Sequence, residues 1–332
     1  MEHMKRVAPA ILLFFLSPAV AELLSASAPP SEFFQPVGFV IITCLYGSGA
    51  LLVRELTTRW HKGWPTLFTL GAAYGIIEEG LMVKSFFDPN WMDIGILGSY
   101  GRWLGVNWVW SLELTIYHSV VSLAVPIVIV GLIFPERRQQ AWLGGSGLII
   151  CSALLAADVI FGFLFMTPYR PPAVPYIFAI IAVAGLVLLS WRLPQHPFRP
   201  ITVNPRRPLW FWVVGFMSMV LFFVVFGGLP NTAIPAAATM LIGLALVALA
   251  AWLIMKMSGN GHSWTGRHQV ALVSGILSFF ILLSPIREFG SQSTDNPTGM
   301  TIVGLVTLIL LVLLWWRVHR REKATSRQSA SR

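Results

Sequence analysis

Charged residues are scarce in this 332-residue chain: Asp, Glu, Lys and Arg together make up 11% of it, hydrophobic residues make up 56%, and the mean hydropathy is +0.72. A soluble domain carries about 25% charged residues, so this composition excludes an ordinary soluble surface. The chain is also too long for a single membrane anchor. Long apolar runs favour helices in a bilayer, which leaves backbone groups no other partners. We therefore predict an all-α, multi-pass integral membrane helix bundle.

Cysteine is nearly absent as well. The two cysteines, Cys44 and Cys151, each lie within an apolar stretch. Two isolated thiols can build neither a disulfide framework nor a cysteine-rich zinc site. The net charge of +9 does not require a nucleic-acid partner, because basic residues also set membrane topology, and we predict none.

Ten apolar runs have about the length that crosses a bilayer. They are residues 7–24, 37–53, 64–83, 106–134, 143–166, 174–191, 209–229, 233–255, 269–286 and 301–316. If each run crosses the membrane, 19 of the 23 Lys and Arg residues fall on one side and 4 on the other. This asymmetry places both termini in the cytoplasm and indicates a plasma membrane protein.

The spans divide into two halves with different polar content. We expect an N-terminal membrane half at 1–191, a cytoplasmic linker rich in Pro and Arg at 192–208, an apolar C-terminal half at 209–316, and a disordered basic cytoplasmic tail at 317–332. Residues 1–21 also resemble a cleaved signal peptide, with a basic start and an Ala-Val-Ala end at 19–21. Apolar character that continues past this point favours a retained first span.

Ionisable side chains within the spans occur only in the first five. Each costs about 2.5–3.5 kcal/mol on insertion, which makes such residues functional candidates by default. They are Glu22, Glu78, Glu79, Glu113, His118 and Asp158. At about 1.5 Å rise per residue, the carboxylates should lie roughly 3–12 Å below the outer boundary and His118 about 18 Å below it.

Two helix faces bring candidates together. In span three, Gly71, Gly75 and Glu79 recur every four residues, which permits close helix packing and directs Glu79 into the bundle. In span four, one polar stripe contains Asn107, Ser111, Thr115, His118 and Ser122. Glu113 lies off this stripe and should contact a different helix. The stripe has a second interpretation, since such residues also hydrogen-bond across helix interfaces.

Glu78 and Glu79 are adjacent carboxylates in an apolar span. Mutual repulsion favours a shared proton, so one can hold a proton while the other acts as a base. In the alternative interpretation, Lys84, Arg102 or Asn107 holds both glutamates as structural partners. The segment 84–105 is the longest outer connection, and we expect it to form a lid over the carboxylates.

The Glu78-Glu79 pair, Lys84 and His118 resemble the arrangement of the CPBP and PrsW glutamate-dependent intramembrane protease superfamily, over about residues 74–122. The resemblance implies that Glu78 or Glu79 is the general base and that His118 holds a water or stabilises the oxyanion. Two departures are that Lys84 follows Glu79 by five residues, rather than three or four, and that no later span supplies a second histidine.

Three functions remain open from the sequence. The first is an intramembrane hydrolase or peptidase that acts on a membrane-embedded or outer-face substrate. Its candidate catalytic residues are Glu78, Glu79 and His118, and its candidate substrate or supporting residues are Asn107, Ser111, Thr115, Glu113, Asp158, Glu22, Lys84 and Arg102. The second is a proton-coupled small-molecule carrier. The third is a noncatalytic membrane partner or lipid-binding protein.

No cofactor is predicted. A divalent metal on Glu78, Glu79 and His118 is an open alternative, because carboxylate and imidazole ligands suit several ions. No HExxH-type spacing favours it. The predicted partners are membrane lipids and an unknown substrate.

Overall fold

The computed structural model describes residues 2–195, 197–290 and 296–330. Helices dominate the described chain. They are α1 Glu2–Pro18, α2 Pro30–Phe33, α3 Pro36–Arg59, α4 Trp64–Gly75, α5 Trp108–Tyr117, α6 Val125–Ile133, α7 Gly145–Phe161, α8 Ala173–Arg192, α9 Pro208–Phe223, α10 Ala236–Ser258, α11 Gly266–Phe289 and α12 Met300–Ala330.

Several helices continue or join through π-helical turns, in which the backbone is wider than in an α-helix. These turns are Ala19–Leu23 after α1, Ile76–Met82 after α4, His118–Ala124 between α5 and α6, Gly162–Met166 after α7 and Val224–Gly228 after α9. π-Helical turns are rare and occur frequently at functional sites. The first three carry Glu22, the Glu78–Glu79 pair and His118.

Eight helices in the described chain are long and apolar enough to cross a membrane. They are Pro36–Arg59, Trp108–Ile133, Gly145–Met166, Ala173–Arg192, Pro208–Asn231, Ala236–Ser258, Gly266–Phe289 and Met300–Ala324. The fold class, an all-α multi-pass membrane bundle, is therefore confirmed. The first predicted span is a shorter apolar helix at Ala8–Leu23, and the third is the helix formed by α4 and its π-turn. Ten crossings and cytoplasmic termini stay predictions.

The bundle core draws on both halves of the chain. Buried side chains of the α5–α6 helix pack with those of α9 and α11 in one hydrophobic cluster, which includes Val121, Val125, Phe226 and Phe280. In contrast, only 6–11% of the residues in the most apolar stretches of α7, α8 and α10 are buried. Apolar, exposed helix faces are what a lipid-facing surface requires.

The connection between α4 and α5, which the sequence predicts to lie on the outer side and which we call the outer connection, is folded rather than extended. It contains a short antiparallel hairpin of β1 Arg102–Trp103 and β2 Val106–Asn107. Positive φ angles at Leu104 (49°) and Gly105 (78°) form its turn, as expected for a two-residue hairpin loop. Upstream of the hairpin, residues 84–87 are all buried in the bundle. This segment therefore packs into the helices as well as over them.

The basic tail is described as helix, since residues 317–330 continue α12. Its disorder stays a prediction. Arg, Glu and Lys in this stretch have high helix propensity, and Glu322 forms an ion pair with Arg267 of α11 at 2.9 Å. The linker segment between α8 and α9 is irregular where it is described.

Candidate active site

Close packing of α4 against the continuous helix formed by α5, its π-turn and α6 brings the polar residues of spans three and four together. A Cβ atom added at Gly71 would lie 2.6 Å from Ser119 Oγ and 2.9 Å from Ser119 Cα. One turn further along, a Cβ at Gly75 would lie 3.3 Å from His118 Cβ. Only glycine permits this separation, so the glycine face of α4 sets the distance between the helix that carries the glutamates and the helix that carries His118.

His118 contacts both glutamates. Its Nε2 lies 3.1 Å from Glu79 Oε1, and its Nδ1 lies 3.4 Å from Glu78 Oε2. Nδ1 also lies within hydrogen-bond distance, 3.1 Å, of Ser122 Oγ. The side chains of His118 and Glu78 are 3% and 6% exposed, whereas that of Glu79 is 12% exposed. Glu79 is therefore the more accessible carboxylate of this His–Glu cluster, which we define as Glu78, Glu79 and His118.

A relay of hydrogen bonds fixes the second oxygen of Glu79. Ser85 Oγ donates to Glu79 Oε2, and Trp110 Nε1 donates to Ser85 Oγ at 2.9 Å. Ser85 comes from the buried start of the outer connection, and Trp110 comes from the first turn of α5. The outer connection thus holds one oxygen of Glu79 and leaves the other for His118.

Tyrosine rings surround the imidazole of His118. The ring centroids of Tyr46, Tyr74 and Tyr117 lie 5.9, 6.3 and 5.7 Å from it. The Tyr46 hydroxyl donates to Glu22 Oε1, which connects the π-turn of α1 to the same cluster. Apolar ring faces lower the local dielectric, so the charges within this site interact more strongly than they would in water.

Sequence reasoning missed these tyrosines, Ser85 and Trp110. A signal for Tyr74 was present, since it stands four residues before Glu78 and so shares its helix face. Tyr117 precedes His118 directly. Nothing in the pattern of span two distinguishes Tyr46 from a packing residue.

The expected structural partners of the glutamates bind elsewhere. The Lys84 ammonium donates to the backbone carbonyls of Phe163 (2.9 Å) and Thr167 (3.3 Å) at the end of α7. Arg102 donates to Asn107 Oδ1. Neither cation forms an ion pair with Glu78 or Glu79 in the described chain, so the interpretation in which Lys84 or Arg102 neutralises them is wrong.

Lys84 and Asn107 instead position the outer connection. Asn107 Nδ2 donates to the carbonyls of Ser85 and Asp88, both at 2.9 Å. It therefore supports Glu79 through Ser85, without touching the carboxylate. Burial, together with the nearby Arg170 guanidinium, lowers the pKa of Lys84 below its ordinary value of 10.5.

The side chains of His118 and Glu79 meet, although the sequence places the carboxylates nearer than His118 to the outer boundary. The helix of Glu79 ends at Met82, and residues 83–88 remain buried. The depth of either residue in a bilayer stays a prediction.

The remaining predicted site residues lie outside the His–Glu cluster. Ser111 Oγ donates to Asn107 O at 2.8 Å and so supports the start of α5. Thr115 packs against Gly75, with its Cα 3.2 Å from a Cβ added there. Glu113 Oε2 and Asp158 Oδ2 are buried atoms that make no hydrogen bond to the described residues. Glu113 does not join His118, as its position off the polar stripe predicts.

The cluster can bind a divalent metal on geometric grounds. Glu78, Glu79 and His118 each offer one ligand atom, and these atoms lie within 4.8 Å of one another. Two carboxylates and one imidazole form a ligand set that occurs in catalytic metal sites. The same three groups can also bind and orient a water directly, because one polar atom of each lies within 4.8 Å of the others.

Comparison with known proteins gives the family of the chain. A family model described as an uncharacterized membrane protein family matches residues 11–274. The chain belongs to this uncharacterised membrane protein family. The match includes α3 to α10 and all three residues of the His–Glu cluster. It does not connect the family to the CPBP and PrsW proteases, so that resemblance stays a prediction.

A relative from Archaeoglobus fulgidus is described only as an uncharacterized protein. It is 27% identical over 129 residues, which span 39% of each chain. No solved structure matches the chain. The chemistry of the site is therefore inferred from its geometry alone.

Proposed function

We propose that this membrane protein is an intramembrane hydrolase that cleaves peptide bonds with the Glu79–His118 pair. The observation that carries the proposal is the 3.1 Å contact between Glu79 Oε1 and His118 Nε2. A carboxylate and an imidazole at this distance, backed by Glu78 and enclosed by tyrosines, form an acid–base pair in a membrane helix bundle. Such pairs are expensive to bury and are kept where they perform chemistry.

The reaction follows from the positions of the side chains. A water held against the exposed side of the Glu79–His118 contact gives a proton to Glu79 as its oxygen attacks the scissile carbonyl carbon. As Glu79 takes this proton it releases the Nε2–H of His118, which then stabilises the negative charge that forms on the carbonyl oxygen. Glu79 then returns the proton to the leaving amine as the C–N bond breaks. Glu78, beside Nδ1, favours the orientation and the positive charge of the imidazole.

The supporting residues explain why Glu79 is the base. Glu78 is the more deeply buried of the two glutamates, whereas Glu79 is partly exposed and has one oxygen fixed by Ser85. A catalytic base must reach substrate and keep a fixed orientation. Glu79 meets both requirements. Substrate would approach from its exposed side.

A hydrolase accounts for the site better than a carrier does. A carrier needs polar groups along a path that both halves of the chain line. The cluster and its hydrogen-bond partners come from the α1 π-turn, α3, the α4 π-turn, the connection between α4 and α5, α5 and the π-turn that follows α5. They all fall within residues 22–122, and this concentration favours local chemistry at one point.

A metal-assisted form of the same reaction is the second candidate, because three ligand atoms lie within 4.8 Å. Glu78, Glu79 and His118 would hold the ion. A bound divalent ion would supply Lewis-acid activation of water or of the scissile carbonyl. Metal analysis of the purified protein, with and without chelator, separates the two forms.

The test uses purified full-length protein in lipid vesicles with a dye-quenched casein as a general peptide-bond substrate. Glu79→Gln keeps the size of the side chain and removes the base. We expect the cleavage rate to fall about 10²–10⁴-fold, the usual contribution of general base catalysis. Glu113→Gln is the matched control, since Glu113 is also a buried membrane carboxylate but lies outside the cluster.

Wild-type cleavage that survives in Glu113→Gln and is lost in Glu79→Gln supports the proposal. Equal rates in Glu79→Gln and in wild type would refute it. If casein is not cleaved, the N-termini of membrane proteins from cells that express wild type or Glu79→Gln are compared. New N-termini that depend on Glu79 support the proposal, and identical sets contradict it.

A further inference from the structure

A second polar site lies at the opposite end of the bundle, on the side predicted to be cytoplasmic. It is a cavity of about 420 Å³ between the end of α3, the start of α4, α6 and the loop that follows α6. This volume falls within the roughly 300–1,000 Å³ of small-molecule sites. The cavity does not include any residue of the His–Glu cluster, so the inference does not depend on the proposed function.

The lining of the cavity is basic. It includes Arg54, His61, Lys62 and Arg138 but no Asp or Glu. Arg54 is already neutralised, because it pairs with the buried carboxylate of Glu55 outside the cavity. Lys62 donates to the carbonyl of Leu193, a neutral group. Two cations therefore face the cavity without a carboxylate partner among the described residues.

Arg138 is the clearest of these cations. Its side chain packs along Gly131 of α6, with Cγ, Cδ and Nε 3.5–3.7 Å from a Cβ added there. Among the described residues its guanidinium forms neither an ion pair nor a hydrogen bond. An anion that entered the cavity would meet a guanidinium that has no partner among the residues that the structure describes.

The start of α4 adds a second source of positive potential. This helix begins at Trp64, beside Gly63, with no side-chain cap, and both residues line the cavity. The N-terminus of a helix attracts anions through its free N–H groups and its dipole. Because Pro65 has no N–H, the first turn of α4 offers the N–H groups of Trp64 and Thr66. A helix N-terminus, a guanidinium and an ammonium around one cavity are groups that recognise phosphate.

The rest of the lining has both polar and apolar parts. Thr57, Thr58, Gln139 and Gln195 supply neutral hydrogen-bonding groups, and Leu67, Ile127 and Val128 supply apolar contact. Trp64 and Trp142 also line the cavity, and tryptophan is enriched at the level of lipid headgroups. A ligand with a phosphate group and a small apolar or hydroxylated portion matches this surface.

We propose that this cavity binds a phosphate-bearing anion, with Arg138 and Lys62 as its principal cationic contacts. Two sources share this chemistry. One is the headgroup of an anionic phospholipid from the adjacent leaflet, and the other is a soluble phosphate ester. The shared recognition group is the phosphate.

The test uses full-length, delipidated protein in detergent. One arm titrates short-chain phosphatidylglycerol and counts bound lipid by native mass spectrometry. The other arm titrates glycerol 3-phosphate by calorimetry. Arg138→Gln and Lys62→Gln should each weaken binding about tenfold, as expected when one charge-assisted hydrogen bond is lost. Arg138→Lys, which keeps the charge, should restore part of the affinity.

Arg199→Gln is the matched control, because it removes the same charge from an exposed loop residue outside the cavity. Thermal unfolding of each variant shows whether it is folded. Arg138-dependent binding of phosphatidylglycerol alone identifies a lipid site, and Arg138-dependent binding of glycerol 3-phosphate identifies a soluble ester site. Binding that is absent in both arms, or equal in Arg138→Gln and Arg199→Gln, would overturn the proposal.

Discussion

The glycine face of α4 provides the most quantitative prediction, because it sets how closely the glutamate helix approaches the histidine helix. A Cβ at Gly71 would lie 2.9 Å from the backbone Cα of Ser119, whereas favourable carbon contacts lie at about 3.5–4.0 Å. Gly71→Ala must therefore separate α4 from the π-turn between α5 and α6 by about 0.5–1 Å. Overpacking of this kind costs about 1–3 kcal/mol.

Two other glycines calibrate this effect. At Gly75 the nearest atoms would lie 3.2 and 3.3 Å from an added Cβ, so a shift of a few tenths of an ångström suffices. At Gly185, in α8, no atom lies within 4 Å. Each substitution to alanine also gains about 1 kcal/mol of helix propensity. Subtraction of the Gly185→Ala effect from the Gly71→Ala effect therefore isolates the cost of overpacking.

The assay is reversible unfolding in mixed micelles, with the free energy of unfolding obtained for all three variants. We expect Gly185→Ala to be the most stable, Gly75→Ala intermediate and Gly71→Ala the least stable, by about 1–3 kcal/mol relative to Gly185→Ala. Because a displacement of about 1 Å can cost 10²-fold in rate, Gly71→Ala should also lose cleavage activity. A Gly71→Ala variant as stable as Gly185→Ala would refute the close packing of α4 against the π-turn between α5 and α6.

Three further substitutions test separate contacts. Glu55→Ala leaves the Arg54 guanidinium buried without its carboxylate, so the free energy of unfolding should fall by about 3–5 kcal/mol in a denaturant titration; an unchanged midpoint would contradict this. Lys84→Met leaves two carbonyls at the end of α7 without their donor and should cost about 1–3 kcal/mol by the same assay, whereas a stabilised variant would contradict the contact. Ser85→Ala frees one oxygen of Glu79 and should lower the cleavage rate more than it lowers the free energy of unfolding. A variant that loses thermal stability but keeps the wild-type cleavage rate would show that Ser85 does not position Glu79.

Much of the architecture could be predicted from composition and periodicity. The apolar runs correspond to helices because a bilayer allows the backbone few alternatives. The recurrence of Gly71, Gly75 and Glu79 predicted that Glu79 enters the packed bundle, and the 100° helical spacing predicted that Glu113 would not join His118. Both features depend on residues within one helix, so the sequence pattern of that helix is enough to predict them.

The rest of the site depends on features that have no local signature. The π-helical turns that carry Glu22, the glutamate pair and His118 rotate side chains relative to a regular α-helix, and apolar periodicity does not reveal them. The buried course of residues 83–88 places Ser85 on Glu79 and draws Lys84 away to α7. These contacts join segments that are distant in the sequence, so only the assembled bundle determines them.

The basic cavity could also be predicted only in part from the sequence. Arg54 and Glu55 could be recognised as an ion pair from adjacency alone. The approach of Arg138 to Gly131 and to the start of α4 depends on the path of the loop after α6. A count of basic residues predicts their side of the membrane but not which of them lie around one cavity.

A double-mutant cycle on the cleavage rate tests the central claim most directly. Glu79→Gln, His118→Gln and the double variant are compared with wild type at limiting substrate. If Glu79 and His118 act as one acid–base pair, each single substitution removes most of the activity and the double variant is no slower than the slower single variant. If the two losses instead multiply, the residues act independently, and the Glu79–His118 pair is not the catalytic unit.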